Sequence, residues 1–179
     1  MKNETKWSVD PSHTEIAFKV KHLMISNVKG VFREFNASVV SKDSDFESAE
    51  IHFLMNPSSI DTGDKKRDEH LKSADFFDVE NHHEISFVSN SFKRSGEDAL
   101  YKLEGILKIK GVSNKIKLNV EFGGIMKDPY GNEKAGFTIT GKINRKDWGL
   151  NWNAALELGG VMVSDEVIIN CDVELIKKI

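Results

Sequence analysis

The stretch LEGILKIKGVSNKIKLNVEF (103–122) decides the fold. Leu103, Gly105, Leu107 and Ile109 alternate with Glu104, Ile106, Lys108 and Lys110, and Ile116, Leu118, Val120 and Phe122 alternate with Lys117, Asn119 and Glu121. A period of two sends successive side chains to opposite faces, so each half is a strand with one oily and one wet face. Gly111 to Asn114 between them has hairpin chemistry. The two strands therefore lie side by side with their apolar sets on a common face.

The same alternation recurs in both directions. Upstream it appears as Ile16, Phe18 and Val20 against Ala17, Lys19 and Lys21, then as Ile51, Phe53 and Met55 against Glu50, His52 and Leu54, and again as Ile85 and Phe87. Downstream come Ala135, Phe137, Ile139, Gly141 and Ile143, followed by Val167, Ile169, Cys171, Val173 and Leu175. That makes seven strands. An eighth is GVFREFNASVV (30–40), where a strict period of two buries Phe32 or Phe35 but not both. A β-bulge near Arg33 and Glu34 restores the pattern.

Two irregular stretches interrupt the strands. IDTGDKKRDEHLKSADFF (60–77) lies between the third and fourth, where Asp61 or Thr62 is expected to cap a short polar helix over 64–72. Leu71, Phe76 and Phe77 would pin this segment on the barrel as a plug or lid. NRKDWGLNWNAALELGGVMVSD (144–165) precedes the last strand, carries Trp148, Leu150 and Trp152, and is too long for a hairpin turn.

The chain has 179 residues, 39% of them hydrophobic and 30% charged, which suits one domain over 1–179 with a single core. Its net charge of −3 and scattered Lys and Arg exclude a basic stripe of the kind that neutralises nucleic-acid phosphates. The single Cys171 rules out an internal disulfide and reads as a small buried hydrophobe. MKNETKWSVDPSHTE (1–15) has no apolar run of the length a secretory signal needs, so the expected location is the cytoplasm, or the periplasm if a leader has been removed.

Eight antiparallel strands with one oily face bury it by closing into a barrel or by packing two sheets together, and closure also abolishes exposed edges. The expected fold is all-β: an eight-stranded antiparallel barrel, with a short helix between strands 3 and 4 and a long loop before the last strand. Such a lumen is just wide enough to be filled by side chains or to hold one slender ligand. Gly105, Ala135, Gly141 and Cys171 on the inward set favour leftover space. The competing outcome is a solid core in which small and large residues interlock, leaving a dimeric scaffold without a ligand.

An ordered series of segments is similar to a known family: WSVDPSHTEIAFKVKHL (7–23), VKGVFREF (28–35), SIDTGDKKRDEHLKSADFFDVENHHEISFVS (59–89), LEGILKIKGVSNKI (103–116) and GFTITGKINRKDWGL (136–150). The chain resembles the YceI-like, polyisoprenoid-binding, lipocalin-like proteins over nearly its whole length. His82 and His83 depart from the family pattern, which usually shows a Pro before the strand, and the chain lacks the leader many members carry. The resemblance implies a hydrophobic pore for a polyprenyl or quinone-type tail, bound non-covalently with no cofactor, in a protein that is commonly a homodimer. Carried over position by position, the pore lining is Phe18, Val20, Phe32, Ile51, Phe53, Phe87, Leu103, Leu107, Leu118, Val120, Phe137, Ile139, Ile169 and Val173, with Trp148 and Trp152 near one mouth. The expected partner is a long-chain apolar small molecule, held for transport, storage or sequestration, with transient membrane contact.

The polar residues allow a second reading, an enzyme or chaperone-like factor acting on a long-chain substrate in the same pore. His22, Arg67, His70 and Arg145 are candidate polar handles for a ligand head. Asp61, Arg67, Asp68 and His70 form either an acid/base group or a hydrogen-bonded corner holding the helix, and Arg145 and Asp147 with Asn144 and Asn153 pose the same choice. His70, His82 and His83 lack metal-ligand spacing: adjacent histidines on a strand point to opposite faces, and no HExxH or paired Cys/His motif occurs. No nucleophile elbow, phosphate loop or dinucleotide fingerprint is present, so no catalytic residue is assigned.

Overall fold

The computed structural model describes residues 3–96, 99–156 and 160–179. Eight antiparallel staves close into a ring. The first three are interrupted: β1 is Glu4–Val9 and Glu15–His22 around a 3₁₀ turn at Pro11–His13, β2 is Ser26–Phe32 and Phe35–Lys42, and β3 is Asp45–Met55, continued across the turn Pro57–Ser59 by Ile60–Asp61. The others are β4 (Ile85–Arg94), β5 (Leu100–Ile109), β6 (Val112–Lys127), β7 (Glu133–Asn144) and β8 (Val163–Lys177). Each stave pairs with the next, and β8 closes on β1 with Leu175 opposite Val9 and Ile169 opposite Phe18.

The interruptions follow from parity. Phe32 is buried and Phe35 packs on the same core, which a period of two forbids unless the chain steps out at Arg33 and Glu34. There the backbone leaves β1 and bonds across to the β3 side instead, Arg33 N–H donating to Ser59 O and Glu34 O accepting from Asn56 N–H. The 3₁₀ turn at Pro11–His13 does the same for β1, switching the inward set from Trp7 and Val9 to Ile16, Phe18 and Val20. Four further register shifts among the described residues were not foreseen from the sequence, between Val40 and Lys42, between Ser89 and Ser91, between Val163 and Val167, and at Gly123, where Gly136 faces Gly124 and Phe137 faces Phe122. The last lets both Phe122 and Ile125 reach the core. The segment Glu4–Val9 was likewise missed, because Trp7 and Val9 alone are too brief an alternation to recognise.

The two ends of the barrel differ. At the end where β1 begins and β8 finishes, Trp7, Phe46, Phe122 and Phe137 stack on one another with ring centroids 5.0–5.4 Å apart, and Phe92 lies flat on Tyr101 at 4.7 Å. Offset and edge contacts of this kind close that end as an aromatic plug. Trp7 satisfies its indole by donating from Nε1 to Ser41 Oγ, 2.9 Å away. The opposite end is covered by α1 (Lys65–Lys72), the turn that follows it and the loop after β7. Asp64 caps α1, accepting from the backbone of Lys66 and Arg67, in place of the expected Asp61 or Thr62. Asp61 instead accepts from Gly63 N–H and from Arg33 Nε at 2.9 Å, which leaves Asp64 free to take the cap.

Candidate functional site: an apolar cavity

Between plug and lid lies a cavity of about 250 Å³. Its wall is built from the inward positions of all eight staves, and its roof from Leu71 on α1, Phe76 and Phe77 after it, and Trp148 and Leu150 on the loop. Arg145 is the one charged residue in the lining. Among the described residues no buried side-chain nitrogen or oxygen lacks a hydrogen-bond partner. The cavity therefore offers a guest hydrophobic contact and shape but no orphaned polar group to receive a head.

The position-by-position candidates fall as follows. Phe18, Val20, Phe32, Ile51, Phe53, Phe87, Leu103, Leu107, Leu118, Val120, Phe137, Ile139, Trp148, Ile169 and Val173 all line the cavity; Trp152 does not. Phe137 belongs to the plug, so the cavity reaches down to that layer. Trp148 is fully buried and locked by an Nε1 hydrogen bond to Leu107 O at 2.8 Å. Trp152 sits outside it, half-buried, with the ring of His70 edge-on at 4.6 Å and Phe76 at 5.5 Å, because its backbone O is held by Arg145 and the chain there runs over the rim.

Of the four candidate polar handles only Arg145 reaches the cavity. Its guanidinium donates to Leu150 O at 2.5 Å, Trp152 O at 2.8 Å, Ser164 O at 2.9 Å and Val163 O at 3.4 Å, and burial pulls its pKa below the ordinary arginine value. With its donors occupied, Arg145 acts as a strap that ties the loop to β8. His22 ends β1 at the rim, off the lining. Arg67 donates to Thr62 Oγ1 and Thr62 O, both at 2.7 Å, while Asp68 accepts from Thr62 N–H and Oγ1. His70 Nε2 lies 2.8 Å from Asp75 Oδ2, pointing away from the lumen. These contacts build the hydrogen-bonded corner, and the carboxylates and imidazole do not converge on one point.

Gly105 and Gly141 do not supply the space expected of them. An added Cβ at Gly105 would stand 2.5 Å from Phe87 Cζ and from Val88 O, and one at Gly141 would stand 2.5 Å from Leu118 Cδ2. Both glycines are thus already covered by a neighbouring strand's side chain. At these positions the interlocking picture holds, whereas Cys171, another of the small inward residues, does border the cavity. Leu71, Phe76 and Phe77 were expected as a lid, but their place in the cavity wall depends on how the helix docks, which no local pattern encodes.

One other cluster carries ligand-type atoms. Asp10, His13 and Glu174 bring their polar atoms within 4.8 Å of one another. Lys134 Nζ already stands among them, 2.7 Å from Asp10 and 3.0 Å from Glu174. A cation's place is filled by the ammonium. Burial works to raise the Asp10 carboxyl, but hydrogen bonds from Lys134, Ser12 and His13 outweigh it and hold the group well below the usual carboxylate range.

The chain matches the model of the YceI-like domain over residues 7–175. It is similar to a UPF0312 protein of Staphylococcus aureus (strain MSSA476), with 40% identity over 171 residues, 95% of this chain and 96% of that protein. Among solved structures, the YceI protein of Campylobacter jejuni superposes with a TM-score of 0.75 at 33% identity, covering 96% of this chain and 97% of the other. A polyisoprenoid-binding domain from Saccharophagus degradans shares the fold with a TM-score of 0.69 at 14% identity, covering 96% and 98%.

Proposed function

Because the chain belongs to the YceI-like domain family, we propose that its barrel holds the tail of a long apolar lipid, such as a polyisoprenoid or an isoprenoid quinone, for carriage or sequestration. The observation that carries this reading is a 250 Å³ cavity with an apolar wall and no unsatisfied polar side chain beside it. A water there would find almost no partners, whereas each methylene moved in from solvent gains about 0.8 kcal/mol. Immobilising a flexible tail offsets part of that gain. The polyisoprenoid-binding domain of Saccharophagus degradans, which has the same fold, supports the choice of ligand class.

The volume sits just under the range of about 300–1,000 Å³ typical of pockets for drug-sized ligands. Native mass spectrometry of protein purified from cells, with organic extraction of the cargo, tests the reading directly. A co-purifying long-chain lipid is expected. Protein that emerges empty and takes up neither a polyprenyl nor a fatty-chain probe from detergent solution refutes it.

A further inference from the structure

The hairpin joining β1 to β2 is built from residues that disfavour its backbone geometry. Leu23 and Met24 are its two central residues, with φ of 52° and 63°, and Ile25 N–H closes the turn onto His22 O at 3.1 Å. Left-handed backbone at both positions is the geometry that Asn-Gly serves without strain, and large side chains rarely adopt it. Here the turn instead presents apolar side chains to solvent, Met24 being 55% and Ile25 83% exposed. The outward face just below is basic. Lys19 and Lys29 are direct cross-strand partners, and Lys21 lies two residues further along the same face. Like charges placed opposite each other in a ladder are unfavourable unless something else neutralises them. Among the described residues no carboxylate stands within ion-pairing distance of these three lysines. The nearest acids of β8 are engaged elsewhere, Glu166 with Lys142 at 3.8 Å and Asp165 with Lys146 at 3.4 Å.

An apolar tip above a row of unpaired lysines is complementary to an anionic lipid surface, with hydrocarbon for the side chains and head groups for the ammonium groups. The tip also stands at the lidded end of the barrel and is joined to the covering loop. Leu23 N–H donates to Met162 O at 2.8 Å, and the Met24 side chain lies against Gly160, its Cγ 3.6 Å from where a Cβ would be. That loop returns through Asn153, which bonds Val163, to the carbonyls strapped by Arg145 over the cavity. We propose that the Leu23–Ile25 hairpin inserts into an anionic membrane leaflet, with Lys19, Lys21 and Lys29 on its head groups, so that the lidded end of the barrel faces the bilayer. This deepens the lipid-holding reading by giving the route of loading, yet docking is measurable whether or not the cavity takes a lipid.

Flotation of the purified chain with vesicles of phosphatidylcholine, alone or with 30 mol% phosphatidylglycerol, tests it; the composition is chosen as roughly the level at which anionic surface potential becomes substantial. Binding to the anionic vesicles is expected to exceed binding to neutral ones by about tenfold or more and to weaken in high salt. Met24→Ser with Ile25→Ser should abolish flotation, and Lys19→Gln with Lys21→Gln and Lys29→Gln should erase the preference for phosphatidylglycerol. Leu23→Asn with Met24→Gly is the sharpest variant: it should raise the melting temperature by relieving the turn while lowering vesicle binding. Uptake of a polyprenyl probe from detergent, without vesicles, should persist in all three variants, which separates failure of docking from failure of the cavity reading. Equal binding to both vesicle types, no binding at all, or undiminished binding by the Met24/Ile25 variant overturns the proposal. So does a change confined to oligomeric state, which would assign the tip to a second copy of the chain.

Discussion

Gly105 and Gly141 look alike in the sequence, yet the structure predicts different costs for the same added methyl group. At Gly105 the new Cβ meets Val88 O, a backbone atom that cannot move without disturbing the β4–β5 ladder, as well as the Phe87 ring. At Gly141 the one close approach is to Leu118 Cδ2, the far end of a side chain that borders the cavity, while Lys117 O at 3.6 Å is in ordinary contact. Gly105→Ala is therefore expected to cost about 2 kcal/mol in a urea melt, and Gly141→Ala less than about 1 kcal/mol, with the displaced methyl taking up lumen space. Cys171 offers a second check. Burial pushes its thiol up to about 11, so the thiolate is scarce at neutral pH and the sulfur faces the cavity rather than solvent. A thiol-specific reagent should leave it unlabelled in native protein and label it fully in denaturant.

At the scale of elements, what fixes the 3₁₀ turn of β1 is its electrostatic clamp on β7 and β8. Lys134 binds Asp10 and Glu174, and Thr14 Oγ1 bonds Glu174 on both its backbone groups, which holds the turn that resets β1's inward parity. Asp10 is only 6% exposed, so the pair is shielded from solvent screening. Asp10→Asn is expected to cost about 2 kcal/mol at pH 7, the scale of hydrogen bonds to a charged group. The sign of the pH effect follows from the lowered carboxyl. Stability from Asp10 is complete above the unfolded value near 3.8 and is lost as pH falls below it, where the unfolded chain binds the proton more readily. Chemical melts between pH 6 and pH 2 should thus show wild type keeping its advantage over the Asn variant down to roughly the pH where free carboxylates titrate and losing it progressively below that.

The whole molecule is an asymmetric tube, with one end shut by stacked aromatic rings and the other by a helix and loop whose hold is mostly side-chain contact. An apolar guest that binds only the folded tube stabilises it by mass action, about 2.7 kcal/mol at a hundredfold excess over Kd. Filling the lumen should mimic and block this. Ile169→Trp, which projects from β8 into the cavity, is expected to preserve the fold and cut probe uptake by at least about tenfold. Fluorescent-probe titration beside a thermal melt reads both; a variant that melts like wild type and still takes up probe at full affinity would mean that the guest lies elsewhere.

The sequence by itself determined the staves and their inward faces, because a strand's two-residue period writes burial directly into the order of residues; even the step at Arg33 and Glu34 is visible as the clash between Phe32 and Phe35. It also set 60–77 and 144–165 apart as irregular stretches, although Ile60 and Asp61, Asn144 and 163–165 at their edges are strand, and 157–159 lie outside the described residues. Tertiary structure decided what no local pattern carries. The bulge at Gly123, the occupation of Gly105 and Gly141 by neighbouring side chains, the exclusion of His22, Arg67, His70 and Trp152 from the lumen, and the use of Arg145 as a strap all depend on which groups meet across the ring. Periodicity reports which face a side chain takes, whereas space at the axis is a difference between the width of the closed ring and the reach of everything inside it, and that difference exists only once the ring has closed.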